Sequence, residues 1–118
     1  MIRIDLPYPA APLWPNARPH WSVKSKAAKA HREWARLATM EALQEGAIAD
    51  LRQRPIPIRI TVYPKSRGPY PDRDNCGAAA KSLLDGIADK LGVNDKAFAS
   101  PVVSFADARE GRFVVEVG

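Results

Sequence analysis

Apolar and polar residues alternate at the start of the chain. Ile2, Ile4 and Leu6 flank Arg3 and Asp5, the pattern of a strand with one buried face. Pro7, Pro9, Pro12, Pro15 and Pro19 follow and forbid a helix, so residues 7–20 read as an extended arm. From Ser22, a plausible N-cap, the period changes to that of a helix running to about Gln44 and stopping near Gly46. Val23, Ala27, Ala30, Trp34 and Leu37 recur at spacings of four and three and share a face, which predicts that Trp34 is core. Lys29, Arg32 and Arg36 fall opposite. Trp14 and Trp21 read as packing the arm onto the domain or a partner subunit, and His31 as lying beside the core.

Alternation returns at Ile56, Ile58, Ile60 and Val62, with Pro55 and Pro57 placing the start of this strand at an edge. A polar loop over residues 64–73 precedes a second helix, capped at Asp74 or Asn75 and ended by Gly92. Its apolar side is Cys76, Ala80, Leu83, Leu84, Ile87 and Leu91. Val103 with Phe105, and the run Phe113 to Val117, read as two strands of a hairpin turning at Glu110-Gly111. Four strands and two helices predict an α/β domain of the α+β type, a small sheet with both helices packed on one face.

Composition narrows the function. A chain of 118 residues is one domain, and 18 Lys and Arg against 13 Asp and Glu give a net charge of +5. The excess is local. Residues 1–69 carry 12 basic and 5 acidic side chains, and residues 70–118 carry 6 and 8. A basic half points to a polyanionic partner and an acidic half to a cation. One cysteine, Cys76, excludes an internal disulfide, and two histidines exclude a zinc site of the cysteine/histidine type. No apolar run is long enough to cross a bilayer, and the first residues lack a signal-peptide core, so a cytoplasmic location is expected.

The densest chemistry lies between Pro71 and Phe98. Asp72 and Asp74 are two apart, and in extended chain their carboxylates point the same way. Such a pair repels itself unless a cation intervenes, and a hard ion such as Mg²⁺ suits an oxygen-only site. An equal reading has the two aspartates merely capping a turn and a helix. Asp95 follows a helix of about 25 Å, so it reaches Asp72 only if the chain turns back or a second subunit completes the site. Lys81 lies two turns beyond Asp74 and four residues before Asp85. The pair is either a surface ion pair or a cation beside a carboxylate cluster, able to hold a phosphate.

Taken whole, the string D-x-D-N, a helix with a lysine, L-L-D-G, and then N-D resembles the RusA family of Holliday-junction resolvases. The arm P-N-A-R-P-H-W and the run K-x-K-A-x-K-A-x-R after it are similar to members of that family. The resemblance implies a single endonuclease domain over residues 1–118 with a mixed sheet. It implies a homodimer that nicks four-way DNA symmetrically, in recombination and repair. It further implies that Asp72, Asp74 and Asp95 bind Mg²⁺ or Mn²⁺ and that Lys81 supports catalysis. Two departures stand out. Ala78 occupies the place where the family lysine follows more closely, and Asn94-Asp95 replaces an acidic pair. On this reading Arg18, Lys24, Lys26, Lys29, Arg32, Arg36, Lys65, Arg67 and Arg73 track DNA phosphates. The same residues also admit a metal nuclease for other branched DNA, or a prophage DNA-binding protein with impaired catalysis.

Overall fold

The inward positions of the alternating segments build one apolar layer. In the computed structural model, which describes residues 1–118, strands β1 (Ile2–Pro7), β2 (Ile58–Tyr63), β3 (Val102–Phe105) and β4 (Arg112–Val117) form a single sheet. Its order is β1-β4-β2-β3. β4 is antiparallel to both neighbours, with Ile4 and Ile60 registered on Val115, while β2 and β3 run parallel. The sheet is therefore mixed, and the fold is α+β. Helices α1 (Trp21–Gln44), α2 (Arg73–Ala79) and α3 (Lys81–Leu91) lie on one face. Ala35, Cys76, Ala80, Leu83 and Ile87 close there over Ile2, Ile4, Ile58, Ile60, Phe113 and Val115.

The strand after Glu110-Gly111 does not form a hairpin with β3; β2 separates them. In Arg112–Val117, Phe113, Val114, Val115 and Val117 are all buried. A strand buried on both faces belongs in the middle of a sheet, and β4 inserts between β1 and β2. The short β3 takes the edge, where Val102 is exposed. Parallel β2 and β3 are joined through the α2–α3 crossover, as parallel pairing requires. Pro55 and Pro57 precede β2, which starts at Ile58 as an inner strand.

The second helix is broken. Ala80, at φ −81° and ψ −3°, leaves the helical path for one residue and divides α2 from α3. Gly92 ends α3 at φ +72°, the left-handed conformation that glycine reaches without strain.

The face of α1 that enters the core is not the one with the large apolar residues. His31, Ala35 and Thr39 point inward, and Trp34 is 55% exposed. The reason is helix approach. A Cβ built on Gly86 of α3 falls 2.1 Å from the Arg32 carbonyl oxygen and 2.9 Å from the Ala35 Cβ. Backbones this close admit only small residues between them, so the indole is turned outward. The helix also begins one residue before the expected cap, with His20 Nδ1 accepting from the Ser22 N–H at 3.2 Å.

The arm is fastened to the domain. Trp14 stacks on Tyr8 at 5.3 Å between ring centres, both rings meet Phe113 edge-on, and the indole N–H donates to the Pro9 carbonyl. Trp21, by contrast, is exposed. His31 accepts from the Ala10 N–H through Nε2 at 2.9 Å, while its Nδ1 is buried without a partner. No helix is long and apolar enough to cross a membrane.

Two predictions follow from this packing. Gly86→Ala should cost about 3 kcal/mol and lower Tm by about 10 °C, because the added methyl meets a backbone oxygen; an unchanged thermal melt would refute the close approach. Burial holds the His31 pKa below its ordinary value, so the unfolded chain takes the proton more readily. Stability should be full above about pH 6.5, the ordinary histidine value, and fall as the pH drops below it. His31→Leu should flatten that dependence in urea unfolding between about pH 7 and pH 5.

Candidate functional site

Asp72 and Asp74 sit where the loop from β2 enters α2. Asp72 has extended backbone and caps the helix, its Oδ1 accepting from the Asp74 N–H at 2.8 Å and the Asn75 N–H at 3.2 Å. Asp74, in the first turn, is exposed and lines a groove of about 350 Å³ with Gly77, Ala78, Ser100 and Pro101. The same four residues also line an adjoining hollow of about 240 Å³, which carries the groove on to Lys81, Asp85 and Asp95.

At that end two carboxylates share one ammonium. Lys81 Nζ lies 3.3 Å from Asp85 Oδ1 and 3.3 Å from Asp95 Oδ2. The chain turns back to make this possible. After Gly92 the Val93 N–H donates to the Ala88 carbonyl, and the turn Asp95–Ala97 is capped by Asn94, whose Oδ1 accepts from the Lys96 N–H at 2.9 Å. Asp95 thus reaches the helix within one chain, and the Asn94 side-chain oxygen is spent on the turn. The negative charge of Asp85, reinforced by Asp95, raises the Lys81 pKa, and the hydrogen bond from Lys81 holds the Asp95 carboxyl below its ordinary value.

Asp72, Asp74 and Asp95 do not converge. No three His, Cys, Asp or Glu side chains come together closely enough to hold a metal ion. The donors are oxygens, the right chemistry for Mg²⁺, but one Asp72 oxygen is committed to the helix cap and Asp95 to Lys81. As arranged, the three carboxylates do not fit a metal centre within the chain.

The expected DNA-tracking cations divide. Arg32 is clamped by Asp89 at 2.6 and 2.8 Å, and Arg36 by Glu33 at 3.0 and 2.7 Å, so both forks are occupied by carboxylates. Lys65 stands over the Tyr8 ring. Arg73 stands over Phe105 while donating to the Val103 carbonyl. Arg18, Lys26, Lys29 and Arg67 are exposed. Lys24 shares a cleft of about 380 Å³ with Lys81, Ser82 and Asp85. Two participants went unnoticed in the sequence. Asp89 is the partner of Arg32, and Arg109 donates to the Lys65 and Gly68 carbonyls and closes the 64–73 loop. Nothing in their local sequence marks them, since both contacts join distant segments. Cys76 is buried, and burial with the nearby Asp72 charge pushes its thiol up to about 11, so it is no nucleophile at neutral pH.

No family model matches the chain. It is 36% identical over 118 residues to an uncharacterized protein of Xylella fastidiosa (strain Temecula1), an alignment covering 99% of this chain and 76% of that one. The chain is thus an α+β domain with a lysine–carboxylate groove. It belongs to the family of that Xylella protein.

Lys81 is 70% exposed, so Lys81→Ala should leave the thermal melt near that of the unmodified protein. It should also move the Asp95 titration upward, because the hydrogen bond that holds it down is gone. Carbon-detected NMR titration of the Asp95 carboxyl reads this directly, and an unmoved Asp95 would mean that the two groups do not meet in solution.

Proposed function

We propose that this protein is an endonuclease acting on branched DNA, a Holliday-junction resolvase of the RusA type that nicks four-way junctions as a homodimer. The role belongs to DNA recombination and repair, and DNA as the partner places it in the cytoplasm. The observation that supports this reading most is the pairing of Lys81 with Asp95 and Asp85 in the groove that begins at Asp74. Of those residues, Lys81, Asp95 and Asp74 are ones the family resemblance assigns to catalysis.

The chemistry open to the chain itself is electrostatic. Lys81 is bound to two carboxylates on its exposed side and can exchange one of them for a phosphate oxygen without unfolding anything. Lys24, across the adjoining cleft, adds a second cation toward the same backbone. Lys26, Lys29, Arg18 and Arg67 are free to follow the DNA strands, a contact that carries no sequence information. Mg²⁺ or Mn²⁺, as implied by the resemblance, would supply Lewis-acid polarisation and a more acidic water. Because Asp72, Asp74 and Asp95 do not converge, the proposal rests on Lys81 and the groove.

The same lack of convergence favours a second reading, a DNA-binding protein without cleavage. A synthetic four-way junction, with a linear duplex of the same sequence as control and with Mg²⁺ or Mn²⁺ added or withheld, separates the two. The resolvase reading expects paired symmetric nicks on the junction alone, only with metal, reduced about a hundredfold or more in Asp74→Asn while junction binding is kept. Tight binding with no nicks in either metal would leave the second reading, and full cleavage by Asp74→Asn would remove the site.

A further inference from the structure

One stripe of α1 changes character along its length. Trp21, Lys24, Ala28, His31 and Ala35 recur at spacings of three and four, so they share a face. His31 and Ala35 are buried. Lys24 and Ala28 line the cleft of about 380 Å³ that also holds Lys81, with Leu13 and Pro15 of the arm along it. Trp21 continues the stripe one turn beyond Lys24, past the end of the core, and is 76% exposed. Its ring is nonetheless held on one side. His20 lies against it at 5.6 Å between ring centres, tilted by 35°, and the His20 Nδ1 is tied to the Ser22 N–H and hydroxyl at 3.2 and 2.7 Å. The indole is therefore both oriented and open.

We propose that Trp21 stacks on an unpaired base of a DNA strand whose phosphate is held by Lys24, at the mouth of the Lys81 cleft. Charge and shape select this ligand together. Lys81 is shared by Asp85 and Asp95, but Lys24 is in no ion pair and lines the cleft as a free ammonium. No carboxylate stands in the chain between Asp5 and Glu33, whereas Arg18, Lys24, Lys26 and Lys29 do. A cation takes a phosphate oxygen, and a flat ring one turn away, about 4.5 Å along the helix axis, takes the face of the attached base. Only a base freed from its stack offers that face, so the site favours DNA with unpaired bases at the branch. A membrane surface fits less well, because a concave cleft carrying Ser82 and Asp85 begins one turn from the indole where a lipid-binding helix would continue apolar. The inference deepens the nuclease reading and rests on it for DNA as the partner.

Fluorescence anisotropy without divalent metal tests it, with two four-way junctions that differ only in two unpaired thymines at the crossover. The unmodified protein should bind the junction with unpaired thymines about tenfold more tightly. Trp21→Ala should bind both junctions as the parent binds the paired one, with Tm unchanged because the indole lies outside the core. Trp21→Phe should keep most of the preference and serves if the alanine variant fails to fold. Abasic sites in place of the two thymines should abolish the preference of the parent, since the phosphates remain and the bases do not. A parent with no preference, a Trp21→Ala variant that keeps it, or a preference that survives the abasic sites would overturn this proposal and leave the nuclease reading in place. Trp21-dependent binding to anionic phospholipid vesicles, with no such preference on DNA, would overturn it in favour of a membrane. Failure to bind either junction would overturn both. A Trp21-dependent preference with no nicks in Mg²⁺ or Mn²⁺ would leave the proposal standing and refute the nuclease reading.

Discussion

The rest of the molecule depends on the close approach of α1 and α3 at Gly86. A backbone oxygen of one helix lies where a side chain of the other would begin. That contact fixes how α3 lies on the sheet and directs its outer side, with Lys81, Asp85 and Asp89, away from the core. The Arg32–Asp89 fork spans the same pair of helices on their exposed rim. It also decides what α1 can bury: only small or compact side chains fit, and the large apolar ones face out.

On this frame the groove gathers charge from three places in the sequence. The loop into α2 brings Asp72 and Asp74, the first turns of α3 bring Lys81 and Asp85, and the reversal after Gly92 brings Asp95. One ammonium between two carboxylates leaves a net charge of −1 at this end of the groove. Asp72 is the exception. Its cap bonds give it a structural duty, which is one of the two roles its spacing from Asp74 allowed.

Much of this was legible in the sequence, because period and punctuation carry it. The alternation of Ile2, Ile4 and Leu6, the end of α3 at Gly92 and the extent of α1 to Gln44 match the structure. What was not legible depends on distant partners. The place of β4 at the centre of the sheet follows from burial on both faces, which the expectation of a local hairpin obscured. Trp34 reads as core because apolar spacing along a helix does not say which face meets the sheet, and α1 buries His31, Ala35 and Thr39 instead. Lys81 with Asp85 is visible as a four-residue spacing, but the return of Asp95 to them depends on the turn after Gly92, whose direction spacing does not specify. Arg109 and Asp89 carried no local signal at all.

The central claim is that the groove around Lys81 acts on a phosphodiester. The most direct measurement is the nicking rate and junction affinity of Lys81→Ala set beside those of the unmodified protein, in Mg²⁺ or Mn²⁺. Affinity should stay within a few-fold, since many cations share the DNA, and nicking should slow by about a hundredfold. Nicking at an unaltered rate would contradict it.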